Sequence, residues 1–221
     1  MSLPLSGPSL PPRSGKAPKQ VVIFLHGLGA DGDDLIGLAP YFAEVLPDAE
    51  FLAPHAPYPC DMAPFGRQWF SLQDRHQEAI QAGLEAARPI LDSYIDAVLE
   101  SRGLAEADLA LVGFSQGTML SLYGALRRRA KIAALVGFSG LLAAPDRLIS
   151  ELVSRPPILL VHGEEDPVVD FGFMDLATRA LTALGVGVET LARPGLGHSI
   201  DDEGLSRGIE FVVQGFTKKQ V

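Results

Sequence analysis

A single cysteine, Cys60, excludes an intrachain disulfide and a thiolate metal cluster. Basic charge is scarce as well: 18 Lys and Arg stand against 27 Asp and Glu, for a net charge of −9. Nucleic acids and anionic membrane surfaces reward clustered Lys and Arg, so neither partner is expected. The one basic cluster, Arg127, Arg128, Arg129 and Lys131, falls at the end of a predicted helix. There it is expected to complement the dipole and the last carbonyls. No apolar run reaches membrane-spanning length, and residues 1–20 lack the continuous apolar core of a signal peptide. Those residues, rich in Pro, Ser and Gly, read as a flexible arm. The histidines are scattered, with no pair at helical ligand spacing, which argues against a metal centre. A cytoplasmic location is compatible with this inventory.

What the chain does have is apolar content. Of 221 residues 47% are hydrophobic, enough for one domain over residues 21–221 with roughly 70% of the unfolded surface buried. Near-continuous apolar runs at 21–25, 50–53, 109–114, 132–138, 158–162 and 186–191 suit strands covered on both faces. Helical spacing separates them at 33–46, 78–101, 116–129, 171–184 and 202–216. Pro89 is expected to kink or split the second of these. The β-α rhythm predicts a mostly parallel central sheet with right-handed crossovers and helices on both faces. Residues 54–73 carry four prolines and several aromatics without periodicity, and long loops in compact domains are often functional.

The stretch LVGFSQGTML at 111–120 sets Ser115 between Gly113 and Gly117, where a strand passes into a helix. A nucleophile there needs strained backbone and small neighbours, which lets its Oγ stand clear of the sheet. Serine also needs a base, normally a histidine oriented by a carboxylate. His26 and His162 each end an apolar strand before a glycine, a place where imidazole often bonds loop backbone. His55 and His76 sit in polar or prolyl surroundings. His198, in RPGLGHSIDDEG, lies on a late glycine-rich loop able to reach the serine. Asp166 follows the strand at 158–162 and is held in a turn by Pro167, with Glu164 and Glu165 as competitors. The order Ser115, Asp166, His198 is that of α/β-hydrolases. A developing oxyanion needs two N–H donors, expected from Gln116 and from Leu28 in LHGLGADGDD.

Together FLHGLGADGDD, PHAP, WF, GFSQG, VHGEEDPVV and GLGHSI resemble the bacterial phospholipase/carboxylesterase family of α/β-hydrolases, which includes acyl-protein thioesterases and lysophospholipases. The resemblance implies an α/β-hydrolase fold without a separate lid domain. It also implies a serine hydrolase needing no cofactor, with Ser115, Asp166 and His198 as the triad and Leu28 and Gln116 as oxyanion donors. Thr118, Ser71 and Asp170 depart from residues usual in the family's thioesterases. The expected substrate is a small or lipid-like carboxylic ester of short-to-medium acyl length, with Trp69, Phe65 and Met62 forming the acyl wall. A thioesterase or lysophospholipase is the alternative. A non-catalytic ligand-binding scaffold is the third reading, and it conflicts with the filled catalytic positions. The family's habit of self-association leaves a homodimer open.

Overall fold

A computed structural model describes residues 5–218. The chain enters through β1 (Ser9–Leu10) and β2 (Gln20–Leu25), followed by two short helices, α1 (Gly32–Leu35) and α2 (Ala39–Ala43). Next come β3 (Ala49–Leu52) and a small hairpin of β4 (Tyr58–Pro59) and β5 (Arg67–Gln68). The long α3 (Gln77–Arg102) leads into β6 (Leu109–Phe114), α4 (Gln116–Ala125) and β7 (Ala134–Phe138). Then α5 (Leu148–Glu151), β8 (Ile158–Gly163), α6 (Gly172–Ala183), β9 (Val188–Arg193) and α7 (Asp202–Thr217) complete the α/β-hydrolase fold.

The central sheet has seven strands in the order β1-β3-β2-β6-β7-β8-β9. All neighbours run parallel except β1, which is antiparallel to β3. Alternate residues of β2 explain the two faces: Ile23 and Leu25 pack with Leu84, Leu91 and Leu120 beneath α3, α4 and α6. Val22 and Phe24 pack with Phe42, Phe211 and Val212 beneath α2 and α7. Because β3 and β6 flank β2 on opposite sides, the connection reverses at the carboxyl ends of β2 and β6, where open α/β sheets bind their ligands.

Four local expectations change. Pro89 does not split α3, which runs unbroken for 26 residues, because Leu84, Ala87, Leu91 and Ile95 keep one buried face across it. The helix expected at 33–46 is three short pieces, with a 3₁₀ turn at Ile36–Leu38 between α1 and α2. The helix expected to reach residue 129 ends at Ala125. Beyond it Arg127 does bond the Tyr123 carbonyl, but it also pairs with Glu151. Arg128 is buried and pairs with Asp92, Asp96 and Glu106, so the cluster is mainly an internal ion-pair network. Finally, the segment read as a flexible arm contributes a strand: Ser9 and Leu10 pair with Leu52 and Phe51. Gly7 fits only because it has no Cβ, which would meet the Ala53 carbonyl at 2.2 Å. Met1–Pro4 lie outside the described residues.

Candidate active site

Ser115 stands between β6 and α4 with φ 52° and ψ −114°, a conformation costly for any residue with a Cβ. The two flanking glycines explain how the turn closes. A Cβ on Gly113 would meet the Thr118 nitrogen at 2.6 Å, and one on Gly117 would meet the Leu25 carbonyl oxygen at 1.8 Å. The start of α4 therefore sits directly on the end of β2. Backbone hydrogen bonds from Ser115 N–H to Phe138 O and from Met119 N–H to Ser115 O hold the elbow. Thr118 fills the room left by Gly137 and Gly140 and donates its hydroxyl to Phe138 O at 2.8 Å.

Asp166 and His198 are brought together: His198 Nδ1 lies 2.7 Å from Asp166 Oδ2, and the carboxylate is inaccessible to solvent. The other oxygen, Oδ1, accepts the Val168 and Val169 N–H groups at 2.8 and 2.9 Å. His162 Nε2 faces Val169 O at 2.9 Å and Asp166 Oδ2 at 3.3 Å. Since a carbonyl only accepts, the His162 proton sits on that nitrogen. Burial opposes ionisation of Asp166, but the Val169, His198 and Val168 hydrogen bonds outweigh it and hold the carboxyl below its usual range. Glu164 and Glu165 are exposed and Asp170 caps Gly172 N–H, so none of these competes for the imidazole.

Two loops must approach closely for that pairing. A Cβ on Gly163 would lie 2.2 Å from Leu196 O and 2.5 Å from Gly197 O. The His198 loop is clamped where it ends, because Arg193 pairs with Asp201 at 2.9 Å while Asp201 caps α7 through Gly204 N–H. The His198 ring packs on Phe114, the neighbour of Ser115, with centroids 4.9 Å apart. No described residue hydrogen-bonds Ser115 Oγ, so the serine and histidine share a wall without a direct bond.

Leu28 lies beside this turn. A Cβ on Gly27 would fall 3.3 Å from that of Ser115. The N–H groups of Leu28 and Gln116 take no acceptor among the described residues. The Gln116 side chain is already engaged, accepting from Trp69 N–H at 2.9 Å and donating to Phe70 O at 2.8 Å.

That engagement changes the expectation for Trp69. It is 1% exposed and its indole N–H donates to His26 O at 3.0 Å, so it anchors the 54–73 loop rather than facing a substrate. A buried indole needs such a partner. Phe65 and Met62 are 73% and 47% exposed. Ser71, on the same loop, is exposed and accepts the Gln73 N–H.

Sequence reasoning missed an apolar cavity of about 410 Å³ lined by Ile80, Leu141, Leu142, Phe173 and Leu176, with the exposed Arg75 among its walls. Gly140, just before Leu141, would carry a Cβ 3.1 Å from Ser115 O, so this wall begins beside the elbow. The lining comes from α3, the segment after β7, and α6, which no local pattern connects. Among the described residues, Asp31, Asp33 and His55 bring potential ligand atoms within 4.8 Å of one another. Asp31 already accepts Asp33 N–H and His55 Nδ1 accepts Gly32 N–H, so these atoms serve the start of α1.

The phospholipase/carboxylesterase family profile matches residues 12–214. Esterase YpfH of Escherichia coli is 28% identical over 88% of this chain and 82% of its own length. Acyl-protein thioesterase 1 of Neurospora crassa is 28% identical over 89% of this chain and 87% of its own. The crystal structure of esterase PE8 superposes with a TM-score of 0.92 at 42% identity, covering 96% of this chain and 99% of that one.

Proposed function

The chain belongs to the phospholipase/carboxylesterase family and is a hydrolase of the carboxylic-ester type, and from that membership we propose that it cleaves short-to-medium acyl esters through Ser115, His198 and Asp166. Ser115 Oγ attacks the ester carbonyl while His198 Nε2 takes the hydroxyl proton. Asp166, ionised and bonded to Nδ1, holds the ring's tautomer and stabilises the imidazolium. The Leu28 and Gln116 N–H groups receive the negative oxygen of the tetrahedral intermediate. His198 then returns the proton to the departing alcohol, and a water activated by the same nitrogen hydrolyses the acyl-enzyme. The observation that carries this reading is the 2.7 Å bond between His198 and the fully enclosed Asp166 carboxylate, at the sheet edge where Ser115 is held in strained backbone.

The acyl chain would lie in the cavity walled by Leu141, Leu142 and Phe173, gaining about 0.8 kcal/mol per buried CH₂. A fluorophosphonate probe should label Ser115, and Ser115→Ala should lose labelling and hydrolysis while staying folded. Labelling elsewhere with full activity in that variant would sink the assignment. Matched ester and thioester series then decide the substrate: a strong preference for palmitoyl thioesters over butyryl esters turns the reading to a thioesterase.

A further inference from the structure

His26 is fully buried at the end of β2, and both of its ring nitrogens are occupied. Nε2 accepts the Ala56 N–H at 3.0 Å, and Nδ1 lies 2.7 Å from Gly27 O. An amide can only donate and a carbonyl can only accept, so the ring is neutral with its proton on Nδ1. With no nitrogen free, His26 cannot act as a base.

The carbonyl that it holds belongs to the same peptide unit as the Leu28 N–H. That peptide is trans, since the described chain has no cis bond. Its N–H and C=O therefore point in opposite directions within one plane. Gly27 O also receives the Ala30 N–H at 3.3 Å, and the next N–H, that of Gly29, is bonded to Arg67 O at 2.9 Å. Tying down the oxygen therefore aims the Leu28 N–H, which takes no acceptor among the described residues. His26 itself is fixed: Trp69 Nε1–H bonds its carbonyl, and the two rings stand 5.4 Å apart.

We infer that His26 is a positioning residue for ester cleavage, whose Nδ1–H bond to Gly27 O orients the Leu28 N–H toward the oxyanion. This rests on the proposed role of Leu28. It also gives the buried histidine a task beyond packing, since an apolar residue would fill the space but leave the Gly27 carbonyl held only by the longer Ala30 N–H bond. A misaimed donor weakens the transition state rather than the ground state, so the loss belongs in kcat.

Two variants separate the histidine's two bonds. In His26→Asn the amide nitrogen takes the place of Nδ1 and keeps the donor to Gly27 O, while the acceptor for Ala56 is lost. In His26→Gln the side-chain oxygen takes the place of Nε2 and keeps the Ala56 bond, while the Gly27 donor is lost. Deleting a whole oxyanion donor costs about 10²–10³ in kcat. His26→Gln should accordingly lose about 10–100-fold in kcat with KM within about twofold, and a trifluoromethyl ketone, which forms a tetrahedral oxyanion on Ser115, should weaken by the same factor. His26→Asn should stay within about threefold. Equal losses in the two variants, or normal kcat in a folded His26→Gln, would overturn the inference. If neither variant folds, ¹⁵N NMR of the wild-type ring decides, since a proton found on Nε2 overturns it. Ser115→Ala in the same assays keeps the outcomes apart: activity there refutes the hydrolytic reading, whereas a dead Ser115→Ala beside a normal His26→Gln refutes only the role of His26.

Discussion

Ser115 and His26 show how much single residues concentrate here. The positive φ of Ser115 stores about 1–3 kcal/mol, more than the roughly 0.5–1 kcal/mol entropic cost of glycine. Ser115→Gly should therefore be more stable than Ser115→Ala by about 1 kcal/mol, both being inactive; equal urea midpoints would mean that the turn is unstrained. His26 predicts a pH dependence. Burial lowers its pKa more than the Gly27 carbonyl and the nearby Asp31 and Asp34 raise it, and His55 adds to the lowering. The unfolded chain thus binds this proton first as pH falls. Its contribution to stability is complete above about 6.5 and diminishes below that, toward the folded value. Urea midpoints measured from pH 8 to pH 5 should fall, and fall less steeply in His26→Asn. At this scale the Asp166–His198 pairing was legible from chain order and from Pro167. The fate of Trp69 was not, because an aromatic in an aperiodic loop carries no mark of which way it faces; its partners, His26 O and the Gln116 side chain, are distant in sequence.

Among the elements, α3 and the loop before α7 carry the clearest consequences. Pro89 removes one backbone donor from the interior of α3, and proline costs about 3 kcal/mol there relative to alanine. The unfolded chain regains part of this when proline is lost. Pro89→Ala should stabilise the protein by about 1–3 kcal/mol, raising Tm by about 2–4 °C for each kcal/mol; calorimetry showing no gain would mean that the helix has relaxed around the ring. Asp201 has two duties, capping α7 and holding Arg193. Asp201→Ala should cost about 0.5–2 kcal/mol for the cap and should also lower kcat, since the His198 loop loses its clamp. A stability loss with unchanged kcat would show the clamp to be irrelevant. Periodicity revealed α3, α6 and α7 within a few residues because each has one continuous buried face. It overran α4, whose buried residues continue past the last helical turn, and it could not see the break in 33–46.

At the scale of the molecule, the six apolar runs became the six parallel strands: burial on both faces leaves a continuous signature in β2, β3, β6, β7 and β8, whereas the edge strand β9 is only partly buried. Strands β1, β4 and β5, of two residues each, are too short to leave any. The strand order was likewise not legible, since it depends on crossovers rather than on local pattern. β1 matters out of proportion to its length. It covers the outer edge of β3, while the opposite edge strand, β9, carries Glu189 and Arg193 in ion pairs with Arg207 and Asp201. Unpaired strand edges are templates for aggregation, and charges on them oppose it. Deleting residues 1–10 should leave kcat near normal but produce concentration-dependent dimers in sedimentation experiments, beyond any that the full chain forms; a deletion variant no more associated than the full chain at every concentration would refute the role of β1. The two ends of the sheet thus resist fibre growth by unlike means, a removable backbone seal at one and desolvation of fixed charges at the other. Heat or proteolysis near the amino terminus can strip the first and not the second, so assembly started by such damage would join copies in pairs, β3 to β3, and then stop.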